Sequence, residues 1–371
     1  MSAHGYSLRS DYLLWTLLGA LLMFSALAPH AITRYPELVD WPTIATLAGL
    51  LLLTAGIEAS GFLHRLAWRI LARVPDQRSL ALVLVGGSWL LSAVLTNDIA
   101  LFVMVPLTLM LADLAVLPLR RLVIFEALAV NAGSMLTPIG NPQNIFLWQT
   151  SGVHFHEFMA AMAVPTLIAS LCLLAFTLGA FRPRPVVLQT AAAAVTVMWP
   201  LFATSALLFV PFIVAADLRH ADLALLVMAI LYAVLFRPVF HRLDWPLLLV
   251  FILMFVDLRL VANLRWVAML LERFDLHHPL TLYGTGVVVS QFISNVPATI
   301  LLSSYSSDWR TLAWAVDMGG FGFLVGSLAN LIALRLGGQR GSLWAFHGWS
   351  SPFLVLAGGL TYIWMLAHGD G

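Results

Sequence analysis

The sequence predicts an all-α polytopic membrane protein containing two repeats of opposite orientation, and three observations carry that prediction. The 371-residue chain is 61% apolar and 10% charged, whereas a soluble domain is about 45–50% apolar and about 25% charged. Apolar stretches long enough to cross a bilayer recur from end to end. Two segments open on the same Asp-Trp-Pro triplet, at Asp40 and at Asp244, and each continues through the same order of elements.

Taken in order, apolar runs bounded by charges give nine spans at 12–28, 42–60, 121–150, 158–180, 195–215, 221–236, 245–262, 311–336 and 350–367. The first has no small-residue cleavage site after it and reads as a retained helix. Two stretches, 79–117 and 280–308, are apolar on both sides of a polar centre, "VLTNDIAL" and "FISNVPATI".

Arginines set the orientation. All nineteen basic residues are Arg, and Arg clusters in short loops mark the cytoplasmic side. Arg65, Arg69, Arg73 and Arg78 precede the first interrupted stretch, and Arg120 and Arg121 follow it. Both its ends are therefore cytoplasmic, which makes 79–117 a re-entrant hairpin with its tip near Thr96-Asn97-Asp98. Continuing the count puts Arg182, Arg184, Arg237, Arg242, Arg335, Arg340 and Arg9 inside as well. Arg34, Arg219, Arg265, Arg273 and Arg310 fall in outer loops, and Arg259 near a span end. One topology fits: N-terminus in, nine spans, two hairpins, C-terminus outside.

The organisation is then a first segment with one span (1–39), repeat 1 with its hairpin (40–182), a two-span linker (183–243) and repeat 2 with an outer-side hairpin at 280–308 (244–371). Inverted repeats with discontinuous helices at matched places point to a secondary transporter with its site at the midplane.

The chemistry sits at four breaks: 96–98, 137–144, 294–297 and 326–330. Irregular backbone at membrane depth is tolerated only where protein buries it or it lines a watery cavity. A broken helix ends in carbonyls of partial negative charge and restarts with N–H groups of partial positive charge. In "TPIGNPQN", Asn141 fits an N-cap and Pro142 the first helical position. Asn97 or Asp98 can cap the second arm of the first hairpin, and Asn295 or Val296 that of the second, ahead of Pro297.

Asp98 is the most informative residue, because a carboxylate near the bilayer centre costs about 2.5–3.5 kcal/mol. It can ligate Na⁺, carry a proton or cap a helix. Asp317, some six residues into a span, is a second protonatable candidate. Asp113 and Glu126 are expected in rim ion pairs with Arg120 and Arg121, and Glu58 and Asp257 at interfaces. "HFHE" at His154–Glu157 reads as a solvated loop in preference to a metal site. The lone Cys172 allows no intrachain disulfide and no cysteine metal cluster. A net charge of +1 without a basic run gives nucleic acid no footing, and neither H-E-x-x-H nor G-x-S-x-G occurs.

The two tips, "TPIGNPQN" and the inverted repeat resemble the ion transporter superfamily over residues 40–368. That group includes divalent anion:sodium symporters, citrate permeases, ArsB-type arsenite permeases and NhaD-type antiporters. The nearest likeness, through "TND" and "GNPQN", is to ArsB-like and YbiR-like permeases. The resemblance implies an elevator-type carrier, a homodimer in the bacterial inner membrane, moving a small anion or oxyanion with Na⁺ or H⁺. It needs no cofactor beyond a Na⁺ coupling ion.

Carried over, Thr96, Asn97, Gly140 and Asn141 form one ion site, with Asp98 beside them. Ser294, Asn295, Ser327 and Asn330 form its partner. Asn97, Asp98, Thr137, Asn141, Asn144, Ser294, Asn295 and Asn330 would line the substrate between the tips. The chain departs from the symporter branch where Asp98 and Val296 replace tip threonines, and its second loop has no "NPQN". Those departures imply a smaller or less charged substrate, proton coupling or cation exchange. A cation/proton antiporter using Asp98 is the rival expectation, and a membrane enzyme a minor one.

Overall fold

The computed structural model describes residues 12–27, 29–62, 65, 74–114, 116–185, 196–243, 245–262, 264–265, 269, 271, 273–338 and 341–368. Arg9, Arg69, Arg73, Asp244 and Arg340 lie outside these residues, so that part of the arginine count and the first residue of the second Asp-Trp-Pro triplet are not described.

Among the described residues the architecture is helical throughout, as expected for a polytopic membrane protein, with one isolated bridge between Asp76 and Pro185. The helices are α1 (Tyr12–Leu27), α2 (Trp41–Ala59), α3 (Gln77–Val94), α4 (Asn97–Leu114), α5 (Leu119–Ser134), α6 (Pro142–Ser151), α7 (Phe155–Ala180), α8 (Trp199–Asp217) and α9 (Ala221–Leu235). They continue with α10 (Trp245–Ala262), α11 (Pro279–Ile293), α12 (Asn295–Leu302), α13 (Trp309–Met318), α14 (Leu328–Gly337) and α15 (Ser342–His368). Five of them, α2, α3, α7, α8 and α15, are long and apolar enough to cross a membrane. The exposed side chains of α8 and α9 include many Leu, Val and Ile, such as Leu207, Val210, Leu226 and Val234, a surface that lipid rather than water suits.

Local chemistry starts and stops these helices where the sequence places its polar residues. Asp40 caps α2 by accepting from Thr43 N at 3.0 Å. Asp76 caps α3 through Arg78 N and Ser79 N, and those bonds hold its carboxyl below the usual range. The α3–α4 pair closes on itself: Gln77 Nε2 donates to Val116 O at 3.1 Å, joining the two open ends. Arg78 donates to Phe181 O and Arg121 to Ala180 O, which fastens the base of that hairpin to the end of α7.

Glycines on α2 let the linker helices approach. A Cβ at Gly49 would enter the Phe212 ring, and one at Gly56 would meet Ser205 and Tyr232, whose hydroxyls bond each other at 2.6 Å. At the centre, α5 is buried on every side from Leu122 to Ser134.

Helices stop and restart at both expected tips and at both expected breaks, with three departures from the expected bounds. The second hairpin is lopsided, since α12 has 8 residues against 18 in α4. The second break lies at 319–327, ahead of the expected 326–330, and contains a short 3-10 turn at Leu324–Gly326. The last helix begins at Ser342 rather than 350.

Two carboxylates also differ from expectation. Glu126 is 0% exposed and accepts from Thr108 instead of pairing with an arginine, because α5 is the central helix and turns that face inward. Asp257 is 2% exposed, not interfacial, and neither carboxylate oxygen has a hydrogen-bond partner. The "HFHE" stretch caps α7: Glu157 accepts from His154 N, and Asp217 accepts from Phe155 N.

Candidate functional site

The first break is a cage of its own amides. Asn141 Oδ1 accepts from Asn144 N at 2.8 Å, which caps α6 as its sequence position anticipates. Asn144 Nδ2 lies 3.3–3.4 Å from the carbonyls of Ser134, Met135 and Thr137, the orphan acceptors left where α5 stops. A Cβ on Gly140 would strike the Ser134 backbone, so only glycine lets the loop fold back this tightly.

The hairpin tips attach to these breaks. Asn97 N donates to Gly140 O at 2.8 Å, and Thr137 Oγ1 donates to Ala93 O at 2.8 Å. In the second half, Gln291 near the end of α11 donates to Gly319 O and accepts from Phe323 N, both at 2.7 Å. Asn295 Nδ2 stands against Gly320.

The tips share a local form. Asn97 Oδ1 accepts from Asp98 N, and Asn295 Oδ1 from Val296 N, each at 3.0 Å. Both asparagines thus open their arms as first helical residues, with Thr96 and Ser294 as the residues before them; neither is the cap itself. Ser294 has φ 73°, a conformation in which an L side chain is strained.

The two breaks meet each other through side chains. From α5, Asn131 donates to Asn330 Oδ1 at 2.8 Å and accepts from Ser327 Oγ at 3.1 Å. From α13, Asp317 Oδ1 accepts from Asn141 Nδ2 at 3.1 Å and from Gln143 Nε2 at 2.9 Å. The spacing is matched: Asn131 lies ten residues before Asn141, and Asp317 ten before Ser327. Asn144 and Asn330 each follow by three. Each half reaches across to the restarting helix of the other with a residue at the same place.

All eleven residues expected at the site fall within this assembly. Thr96, Asn97, Thr137, Gly140, Asn141 and Asn144 gather at the first tip and break. Ser294, Asn295, Ser327 and Asn330 belong to the second tip and break. Asp98 is buried and also borders a cavity of about 30 Å³ with Glu58 and Arg242, room for a water or two.

Sequence reasoning passed over Asn131, Gln143 and Gln291. The available signal was an amide one turn from a break in an otherwise apolar helix. His154, His156 and Glu157 are elsewhere, and among the described residues no cluster suits a metal ion of the histidine–carboxylate kind.

Paired helix breaks, each tied to the tip of a helix pair and buried among apolar helices, accompany membership of a transporter family. The chain belongs to the citrate transporter family CitMHS, whose model matches residues 12–319. It is 42% identical over 359 residues to the inner membrane protein YbiR of Escherichia coli K12, covering 96% of each chain. It is 31% identical to the uncharacterized transporter MJ0456 of Methanocaldococcus jannaschii, over 88% of this chain and 87% of that one. A shorter likeness, 29% identity over 155 residues, links it to the silicon efflux transporter LSI3 of rice, covering 42% of this chain and 32% of that protein.

Proposed function

We propose that the protein is a secondary active transporter that moves a small anion or oxyanion by an elevator-type mechanism coupled to Na⁺ or H⁺. The observation that carries this reading is the cross-bonding of the two breaks, Asn131 to Ser327 and Asn330, and Asp317 to Asn141 and Gln143. It joins four half-helix ends and both tips in one buried polar body, flanked by helices whose outer faces suit lipid. Such a body can move as a unit while the linker helices and α2 form a scaffold. The repeats 40–182 and 244–371, nine spans, an inside N-terminus, an outside C-terminus, a homodimer and a bacterial inner membrane complete the proposal.

In this reading substrate and ion lie against the tips, at Thr96, Asn97, Asp98, Thr137, Gly140, Asn141 and Asn144 on one side. Ser294, Asn295, Ser327 and Asn330 face them. N–H groups at restarting helices suit an anion. The family is named for citrate and one relative for silicon efflux, so family membership leaves the substrate wide. A cation/proton antiporter is the second reading, favoured by Asp98 bordering a cavity with Glu58 and Arg242.

Solid-supported-membrane currents from reconstituted protein test the choice. Citrate, phosphate, sulfate, arsenite and silicate are applied under an imposed Na⁺ or pH gradient. Anion-dependent current that disappears in Asn97→Ala and Asn295→Ala supports the carrier reading. Current driven by cation and pH gradients with no anion requirement, lost in Asp98→Asn, selects the antiporter. Anion current of full size in both asparagine variants would remove the tips from the site.

A further inference from the structure

The matched cross-bonds differ in one atom. Asn131 offers an oxygen to Ser327 and an N–H to Asn330 Oδ1. Asp317 offers an oxygen to Asn141, but its other atom is a second oxygen. That Oδ2 is the counterpart of the Asn131 Nδ2, and Asn144 Oδ1 is the counterpart of the Asn330 oxygen. An acceptor therefore replaces a donor. Asp317 Oδ2 and Asn144 Oδ1 are accordingly both buried with no hydrogen-bond partner, and so is Gln143 Oε1.

Gln143 and Asn144 both bond the Asp317 carboxyl through their side chains, and three buried oxygens on these three residues are left without a partner; each unmade bond costs about 1–3 kcal/mol, and more where charge is involved. An unpaired carboxylate at 2% exposure adds a desolvation penalty. No arginine or histidine bonds to Asp317 among the described residues.

We infer that Asp317, Gln143 and Asn144 form a binding site for a small alkali cation that spans the two halves of the chain and shares Asn144 with the first tip site. One proton lies between two oxygens and leaves the third bare, whereas a cation serves all three and neutralises the charge. Hard cations gather about six oxygens, so three positions remain for water or for oxygens of an anion. Substrate and cation would then complete each other's shells, and each would raise the affinity for the other by the same factor. This deepens the proposed reading by naming the coupling ion and its ligands.

Thermal melting of the full chain in Na⁺, Li⁺, K⁺ and N-methylglucamine chlorides, at fixed ionic strength and several pH values, is the test. A cation bound only by the folded state raises the melting point by mass action. Na⁺ or Li⁺ should stabilise the wild type relative to N-methylglucamine, and Asp317→Asn should abolish the response. That variant restores the donor found at Asn131, so it should fold. Gln143→Met should raise the half-saturating cation concentration about tenfold or more, with Asp257→Asn unchanged.

A cation response retained in Asp317→Asn overturns the inference. So does a wild type indifferent to alkali cations, or one stabilised by protons alone. A cation response that depends on Asp317, alongside anion currents untouched by the tip variants, would sink the tip reading and leave this site standing.

Discussion

Each half of the molecule sets a helix break beside the tip of a helix pair, and the two breaks are braced differently. In the first, the break at 135–141 is buried and cross-braced: Asn144 reaches three carbonyls, Thr137 bonds Ala93, and Gly140 O accepts from the tip. In the second, the break carries a 3-10 turn with Phe323 and Val325 exposed. It depends on Gln291 for its attachment to the hairpin, and its tip runs through the strained Ser294. The second break is also tied to α15, where Ser350 Oγ accepts from Gly322 N at 2.9 Å and His347 Nε2 from Leu324 N at 3.2 Å; the two breaks therefore differ in exposure and in which helices hold them.

Substituting the matched glycines should separate the halves most. Gly140→Ala drives a methyl into backbone, and we expect a loss of more than about 3 kcal/mol, the upper end for overpacking. Gly326→Ala, at the matched place, meets the Gly319 carbonyl at 2.6 Å against 2.2 Å at Gly140, in a break whose Phe323 and Val325 are exposed. Its loss should be smaller, and equal losses on melting would contradict the difference between the breaks.

Asn131→Ala follows, because it strands the Asn330 oxygen and the Ser327 hydroxyl. About 2–3 kcal/mol is expected from two buried unmet groups, read as a fall in melting temperature. An Asn131→Ala/Asn330→Ala pair should lose clearly less than the sum of the singles.

The braces rank next. Gln291→Leu removes both bonds to the second break and a longer one to Val287 O, and should cost about 2 kcal/mol, against about 1 kcal/mol for the single bond lost in Thr137→Val. Hydrogen exchange would place the first loss at 319–323 and the second at the first tip. The smallest effect is a gain. Ser294→Gly relieves a positive φ and should stabilise by about 0.5–1 kcal/mol, whereas Thr96→Gly should destabilise.

Much of this architecture is legible in the sequence, and for identifiable reasons. Asn-Pro and Ser-Asn in apolar surroundings have few uses other than restarting a helix, so both tips and the first break fall where expected. The second break was displaced because "GFGFLVGSLAN" lacks a proline to mark the restart, and its glycines do not say where α13 stops. Glu126 was misplaced because a nearby arginine in sequence says nothing of which face turns inward; Arg121 spends its charge on the Ala180 carbonyl. Asn131 and Gln143 went unselected because a single amide in a helix acquires meaning only from a partner nearly two hundred positions away.

The most direct measurement moves the charge from one half to the other. Asp317→Asn should make the halves alike and remove the Na⁺ response on melting. Adding Asn131→Asp places a carboxylate at the matched position, opposite Ser327 and Asn330, and should bring back a weaker cation response, because Ala329 stands where the first half has Gln143. If the single and the exchanged variants both melt without regard to Na⁺, the match between the halves does not extend to ion binding. If both respond as the wild type does, the cation is held elsewhere and Asp317 is only part of the frame.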